Sequence, residues 1–160
     1  MSLLLGSEVN IKRSIDKYLF DNLYTTEGIP IDFEGIKFDQ VSNNEWIQPR
    51  IVDIQSVFRR QSSSTQYGED TNILFQINIF VKKGHQTTSD RNFYIRDIIL
   101  HYFKFGQQIT VYDYDGDLNS IGHITVRNIS DDFALEERQN IYQYAISWEI
   151  DLTRHYTKPS

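Results

Sequence analysis

Residues 142–152 read Tyr142-Gln143-Tyr144-Ala145-Ile146-Ser147-Trp148-Glu149-Ile150-Asp151-Leu152. Large apolar or aromatic residues take every second position, and small or polar ones sit between them. Strand side chains alternate between two faces, so this stretch predicts a strand with one apolar face. A slip of one residue would turn that whole set outward, which fixes the register. Ile146 and Trp148 are expected in the core, with Ser147 and Glu149 on the other face.

Working upstream, Phe133 to Gln139 reads as an acidic connector. Ile109 to Tyr114 and His123 to Ile129 read as strands around Asp113-Tyr114-Asp115-Gly116-Asp117, whose Asp-Gly is expected to supply the positive φ of a tight turn. Asn72 to Val81 alternates strongly: Ile73, Phe75, Ile77, Ile79 and Val81 share a face. Trp46 to Ile54 is a further strand, and Pro49 inside it marks an edge strand or a bulge. Ile29 to Phe33 and Ile36 to Phe38 read as short extended pieces.

Two helices complete the pattern. Ile11, Ile15, Tyr18, Leu19, Asn22 and Leu23 follow helical spacing, with Ser7 as N-cap and Gly28-Ile29-Pro30 as the stop. Thr87 to Asp90 offers N-caps for a second helix, whose face is read as Phe93, Tyr94, Ile98, Tyr102 and Phe105, ended by Gly106. Residues 55–70, with Arg59-Arg60-Gln61-Ser62-Ser63-Ser64-Thr65-Gln66, lack apolar periodicity and read as a long polar loop. Loops longer than about 12 residues in compact domains are usually functional or disordered. The fold class expected is α+β: one domain over 1–160, a mostly antiparallel sheet with two helices packed on one face.

Composition narrows the function. The chain has 160 residues, ten Tyr, ten Phe, two Trp and no cysteine. Without cysteine there is no disulfide, thiolate metal site or Cys nucleophile. No apolar run approaches the roughly 18 residues that span a bilayer. Met1 to Gly6 has no basic flank and does not read as a signal peptide. Net charge is −6. Residues 111–138 hold Asp113, Asp115, Asp117, Asp131, Asp132, Glu136 and Glu137 against Arg127 and Arg138, so most of the excess lies there. With no basic stripe to bind phosphates, dedicated nucleic-acid binding is not expected.

The motifs point away from catalysis. From Asp113, a calcium loop would need Gly at the sixth position and Glu at the twelfth, where Leu118 and Ile124 stand. His85, His101, His123 and His155 show no helical ligand spacing, and there is no HExxH, GxSxG, Walker or GxGxxG sequence. No catalytic residue, metal or cofactor is expected. Arg59, Arg60 and Tyr67 are the candidate partner-binding residues of the polar loop.

The order of these elements resembles the tail terminator proteins of long-tailed bacteriophages. The likeness runs from the helix Ile11 to Tyr24 through Ile29-Pro30-Ile31-Asp32-Phe33 and Glu45-Trp46-Ile47-Gln48-Pro49-Arg50-Ile51. It continues through the strand Asn72 to Val81, the helix Arg91 to Phe105 and the last strand, Tyr142 to Leu152. It is a likeness of element order and hydrophobic pattern, without a chemical signature. The Asp-rich hairpin and the Pro159-Ser160 end have no counterpart in the family. The resemblance implies a ring, usually a hexamer, at the tail-neck junction of a virion, assembled in the host cytoplasm. It would cap the tail tube protein, halt its polymerisation and meet the head-completion or connector protein. DNA would pass through the lumen without specific binding. From their concentrated charge, Asp113, Asp115 and Asp117 are expected to line that channel, where they would repel phosphates. Other readings are another neck or head-completion protein, or a small-ligand-binding or enzymatic α+β domain.

Overall fold

The structure is a computed structural model. It describes residues 4–5, 8–61, 66–84, 90–114, 116–134 and 141–157. In chain order the elements are β1 (Leu4–Leu5), α1 (Glu8–Leu19), a π-helical segment (Phe20–Thr26), β2 (Glu45–Gln61) and β3 (Gln66–Lys82). Then follow α2 (Arg91–Tyr102), β4 (Gln108–Tyr112), β5 (Ser120–Ala134) and β6 (Ile141–Thr157). The sheet order is β2-β3-β6-β5-β4, with β1 paired to β6. Every strand pairing is antiparallel. The fold is therefore α+β, as the sequence reading expects.

The β3–β6 ladder is the spine. It runs from Gln66↔Thr157 to Lys82↔Ile141 without a register shift, whereas the β2–β3, β4–β5 and β5–β6 pairings each contain one or more. The alternation of 142–152 lands as read: Tyr144, Ile146, Trp148, Ile150 and Leu152 join the core with Ile73, Phe75, Ile77, Ile79 and Val81. Phe75 and Trp148 are direct cross-strand partners. Their rings lie 6.0 Å apart, and Phe103, just past α2, closes a triangle at 5.6 Å and 5.1 Å. Ser147 lies on the opposite face, yet it too is buried, and its hydroxyl bonds Gln76 on the neighbouring strand.

α1 buries Ile11, Ile15 and Leu19 as expected, and adds Asn10 and Ser14. The π-helical segment then buries Leu23, and Gly28 takes φ +72 to end the helical run. Only glycine adopts that conformation without strain. The α2 face differs from the sequence reading. Asn92, Ile95 and Ile99 are buried, whereas Phe93, Tyr94 and Phe105 are exposed. The aromatic set and the isoleucine set both satisfy helical spacing, and the β-branched set fills the space over the sheet. Phe93 instead packs edge-on against Tyr144, and Arg91 sits over Tyr94. Arg91 also forms a two-pronged bond to Glu45, at 2.7 and 2.6 Å, tying the start of α2 to the start of β2.

Two further readings change. Of residues 55–70, those described are strand rather than loop: β2 runs to Gln61, β3 starts at Gln66, and they pair as far as Gln61↔Tyr67, while residues 62–65 lie outside the described ones. The backbone ladder carries on where no apolar face is present to mark it, so periodicity missed it. Ile36 to Phe38 is turn and irregular chain rather than strand, whereas Ile31 makes a parallel bridge to Ile47. Pro49 is on an edge strand, and a bulge follows between Ile51 and Asp53. Ile47 exchanges bonds outward with Pro30 and Asp32, so Pro49, two residues on, turns its missing N–H to the same outer side.

Trp148→Ala empties the centre of the aromatic triangle and should cost about 3–5 kcal/mol in a denaturant melt. Glu149→Ala, one residue on and facing away, should cost less than about 0.5 kcal/mol. Equal losses would mean that the face is misplaced.

Candidate assembly surface

Strands β2, β3 and β6 are each 17 residues long, and α1 and α2 are each 12. At strand rise that is roughly 56 Å, against about 18 Å for either helix. Neither helix can cover the sheet along its length. The core cluster has its last described members on these strands at Ile54, Ile73 and Leu152. The strands continue beyond them as an arm of β2 (56–61), β3 (66–71) and β6 (153–157), to which β1 adds itself. Arg59 and Arg60 stand on the arm, with Arg59 at the register shift between Phe58 and Arg60, and Tyr67 opposes Gln61. The side chains of these three residues lie outside the described ones.

The acidic segment is the seven-residue connection between β4 and β5. Asp113 N donates to Asn119 O, and Leu118 N donates to Asp113 O. The positive φ here belongs to Leu118, at 58°, and not to Gly116 as the sequence reading expects. A Cβ at Gly116 would meet Asp113 Oδ2 at 2.8 Å, so a larger residue there would displace the Asp113 carboxylate. Asp113 and Asp117 are placed on this connection, and Asp115 lies outside the described residues.

The two edges of the sheet are closed unevenly. On β2, Ile31 bridges to Ile47, and Arg50 Nη1 donates to Asp32 O and Pro49 O at 2.8 and 2.7 Å. Farther along β2 no described strand pairs with its outer side. On β4 the outward N–H groups of Tyr112 and Tyr114 donate to Ser14 Oγ and Asn10 Oδ1. Four residues apart on α1 match two apart on β4, so the helix seals this edge like a side rail. The match breaks one step on, because Tyr18 donates its hydroxyl to Tyr102 O. Burial pushes that phenol up to about 12. There a groove opens between α1 and β4, lined by Ser14, Lys17, Asp21, Asn22, Thr110 and Tyr112 among others.

On the helix-free face a directional chain of hydrogen bonds crosses three strands. Ser147 Oγ donates to Gln76, Gln76 to Asn78, Asn78 to Gln48, and Gln48 to the Asp32 carboxylate, at 3.0–3.3 Å. Every amide both gives and accepts, so a polar face stays satisfied while half-buried. The sequence contains these residues, but only the register brings them together.

On the helix face, Arg96 of α2 bonds both oxygens of Asp132, and the Tyr144 hydroxyl donates to Asp132. The hydrogen-bonded Arg96 guanidinium holds the Asp132 carboxyl below its ordinary range. Desolvation, then the bond to Asp132, pushes Tyr144 up. This cluster fastens α2 to the bulged end of β5, and the sequence reading treated Asp132 only as part of an acidic surplus.

No family model matches the chain, and no curated protein does. Nineteen chains of solved structures match. One, a protein without a functional name, covers 97% of this chain and 99% of its own at 14% identity, with a TM-score of 0.58. The likeness is one of fold alone, and it extends over the whole domain.

The Asp132 shift sets a pH dependence. Its folded pKa lies below the unfolded value, so the contribution is complete above about 3.9 and is lost as pH falls through the folded pKa. Asp132→Asn should therefore lower the melting temperature at pH 6, with the gap to wild type narrowing below pH 3.9. Thermal melts across pH 2–7 check this, and a gap that stays constant would contradict it.

Proposed function

We propose that this chain is a structural assembly protein that closes into a ring, as the tail terminator of a long-tailed bacteriophage. The observation that carries the reading is the arm, a set of paired strands continuing past the core of a small domain. Paired strands that run on past the described core are a liability if left uncovered in a lone chain, and are normally blunted or covered. Arm and open edge together suit a subunit whose neighbours complete it.

The identification with tail terminators rests on the element order given above. In this reading the ring, a hexamer, seats on the tail tube protein and stops its growth. Its other side meets the head-completion protein. Arg59, Arg60 and Tyr67 serve as contacts on the arm. A net charge of −6 lets DNA slide through the lumen without being held.

Sedimentation of the purified chain, alone and with tail-tube subunits, tests the reading. The expected result is a closed oligomer of one size that arrests tube growth when added to polymerising subunits. A chain that stays monomeric at high micromolar concentration and leaves tube length unchanged would overturn it.

A further inference from the structure

We propose that copies of this chain join head to tail, the free edge of β4 on one copy pairing with the arm portion of β2 on the next. The inference rests on the ring reading above and deepens it by naming the joint.

The first observation is where α1 stops sealing β4. Gln107 and Asp113 bond inward to the β5 side, so Gln108, Thr110 and Tyr112 turn their backbone groups outward. Ser14 takes the Tyr112 N–H, whereas the Thr110 N–H faces the groove with no partner among the described residues. An extended segment entering there gains backbone bonds that the chain does not itself supply.

The second observation is direction. Four successive antiparallel pairings leave β2 and β4 running the same way. A neighbour related by rotation therefore presents its β2 parallel to β4, and the sheet runs on from copy to copy. Heterologous contacts of this kind close into a ring when the rotation per copy divides a full turn, and run on as a filament when it does not.

The third is level. The registers Gln108↔Thr125, Thr125↔Asp151, Asp151↔Asn72 and Asn72↔Gln55 run straight across the sheet. Copies that do not shift along the strands thus set Gln55 beside Gln108 and Val57 beside Thr110. The same alignment brings Arg59 and Arg60 level with Tyr112 and Asp113, where α1 seals the edge and side chains must make the contact. Two basic positions of one copy are then level with the acidic connection of the next, a match of sign that opposite charge favours and like charge would oppose. The acidic hairpin moves from the channel, where sequence alone placed it, to the boundary between copies.

Thr110→Pro tests the joint. It deletes an outward N–H and no internal ladder bond, as Pro49 does naturally on β2. Thr110→Ala keeps the N–H and is the control. The expectation is that Thr110→Pro melts like wild type but associates at least tenfold more weakly, while Thr110→Ala assembles normally. A second pair is independent of the proline. Arg59→Glu with Arg60→Glu should dissociate the ring, and adding Asp113→Lys with Asp117→Lys should restore it. If wild type forms rings and the Thr110→Pro and charge-reversed variants form them equally well, this joint is wrong and the ring reading stands. If wild type forms no ring with or without tube subunits, both fall.

Discussion

The unbroken ladder between β3 and β6 is the constraint on which the rest of the structure depends. It sets Phe75 beside Trp148 for the aromatic triangle that seats the end of α2. The same register lines up Gln76 with Ser147 and Asn78 with Ala145, so one pairing builds an apolar face and a hydrogen-bonded polar face together. All the register shifts fall outside the β3–β6 pairing. The centre of the sheet is therefore rigid in register, and curvature is taken up where strands bulge.

That rigidity explains how the edges can differ. An edge strand exposes backbone groups that attract other chains, and proteins commonly blunt it. Here the blunting is local. Ile31, Arg50 and Pro49 close one end of β2, and Asn10 and Ser14 close one end of β4. The unsealed portions, Thr110 and the arm, are level with each other across the sheet. Sealing part of each edge restricts which contacts a neighbour can make, and so favours one assembly over many.

Much of the fold was legible because burial writes itself into sequence. The alternation at 142–152 and at 72–81 gave the central strands and their faces. Pro49 marked the edge. The arm was not legible, since its sequence carries no period-two apolar signal, and the polar run 59–66 reads as a loop. The α2 face was misread because aromatic residues compete with isoleucines at helical spacing. The positive φ at Leu118 had no signal at all, and Gly116 drew the reading toward the wrong residue. Side-chain relations across distant strands, such as Asp132 with Arg96 or Asn10 with Tyr114, depend on register and so were beyond a single sequence.

Amide hydrogen exchange along β3 and β6, measured on dissociated and assembled protein, tests the central claim most directly. The account predicts that Ile73–Val81 and Tyr144–Leu152 exchange only through global unfolding in both states. Residues 66–70 and 153–157 of the arm should exchange much faster when dissociated and slow sharply on assembly. An arm as protected in the free chain as the core, with no change on assembly, would contradict it.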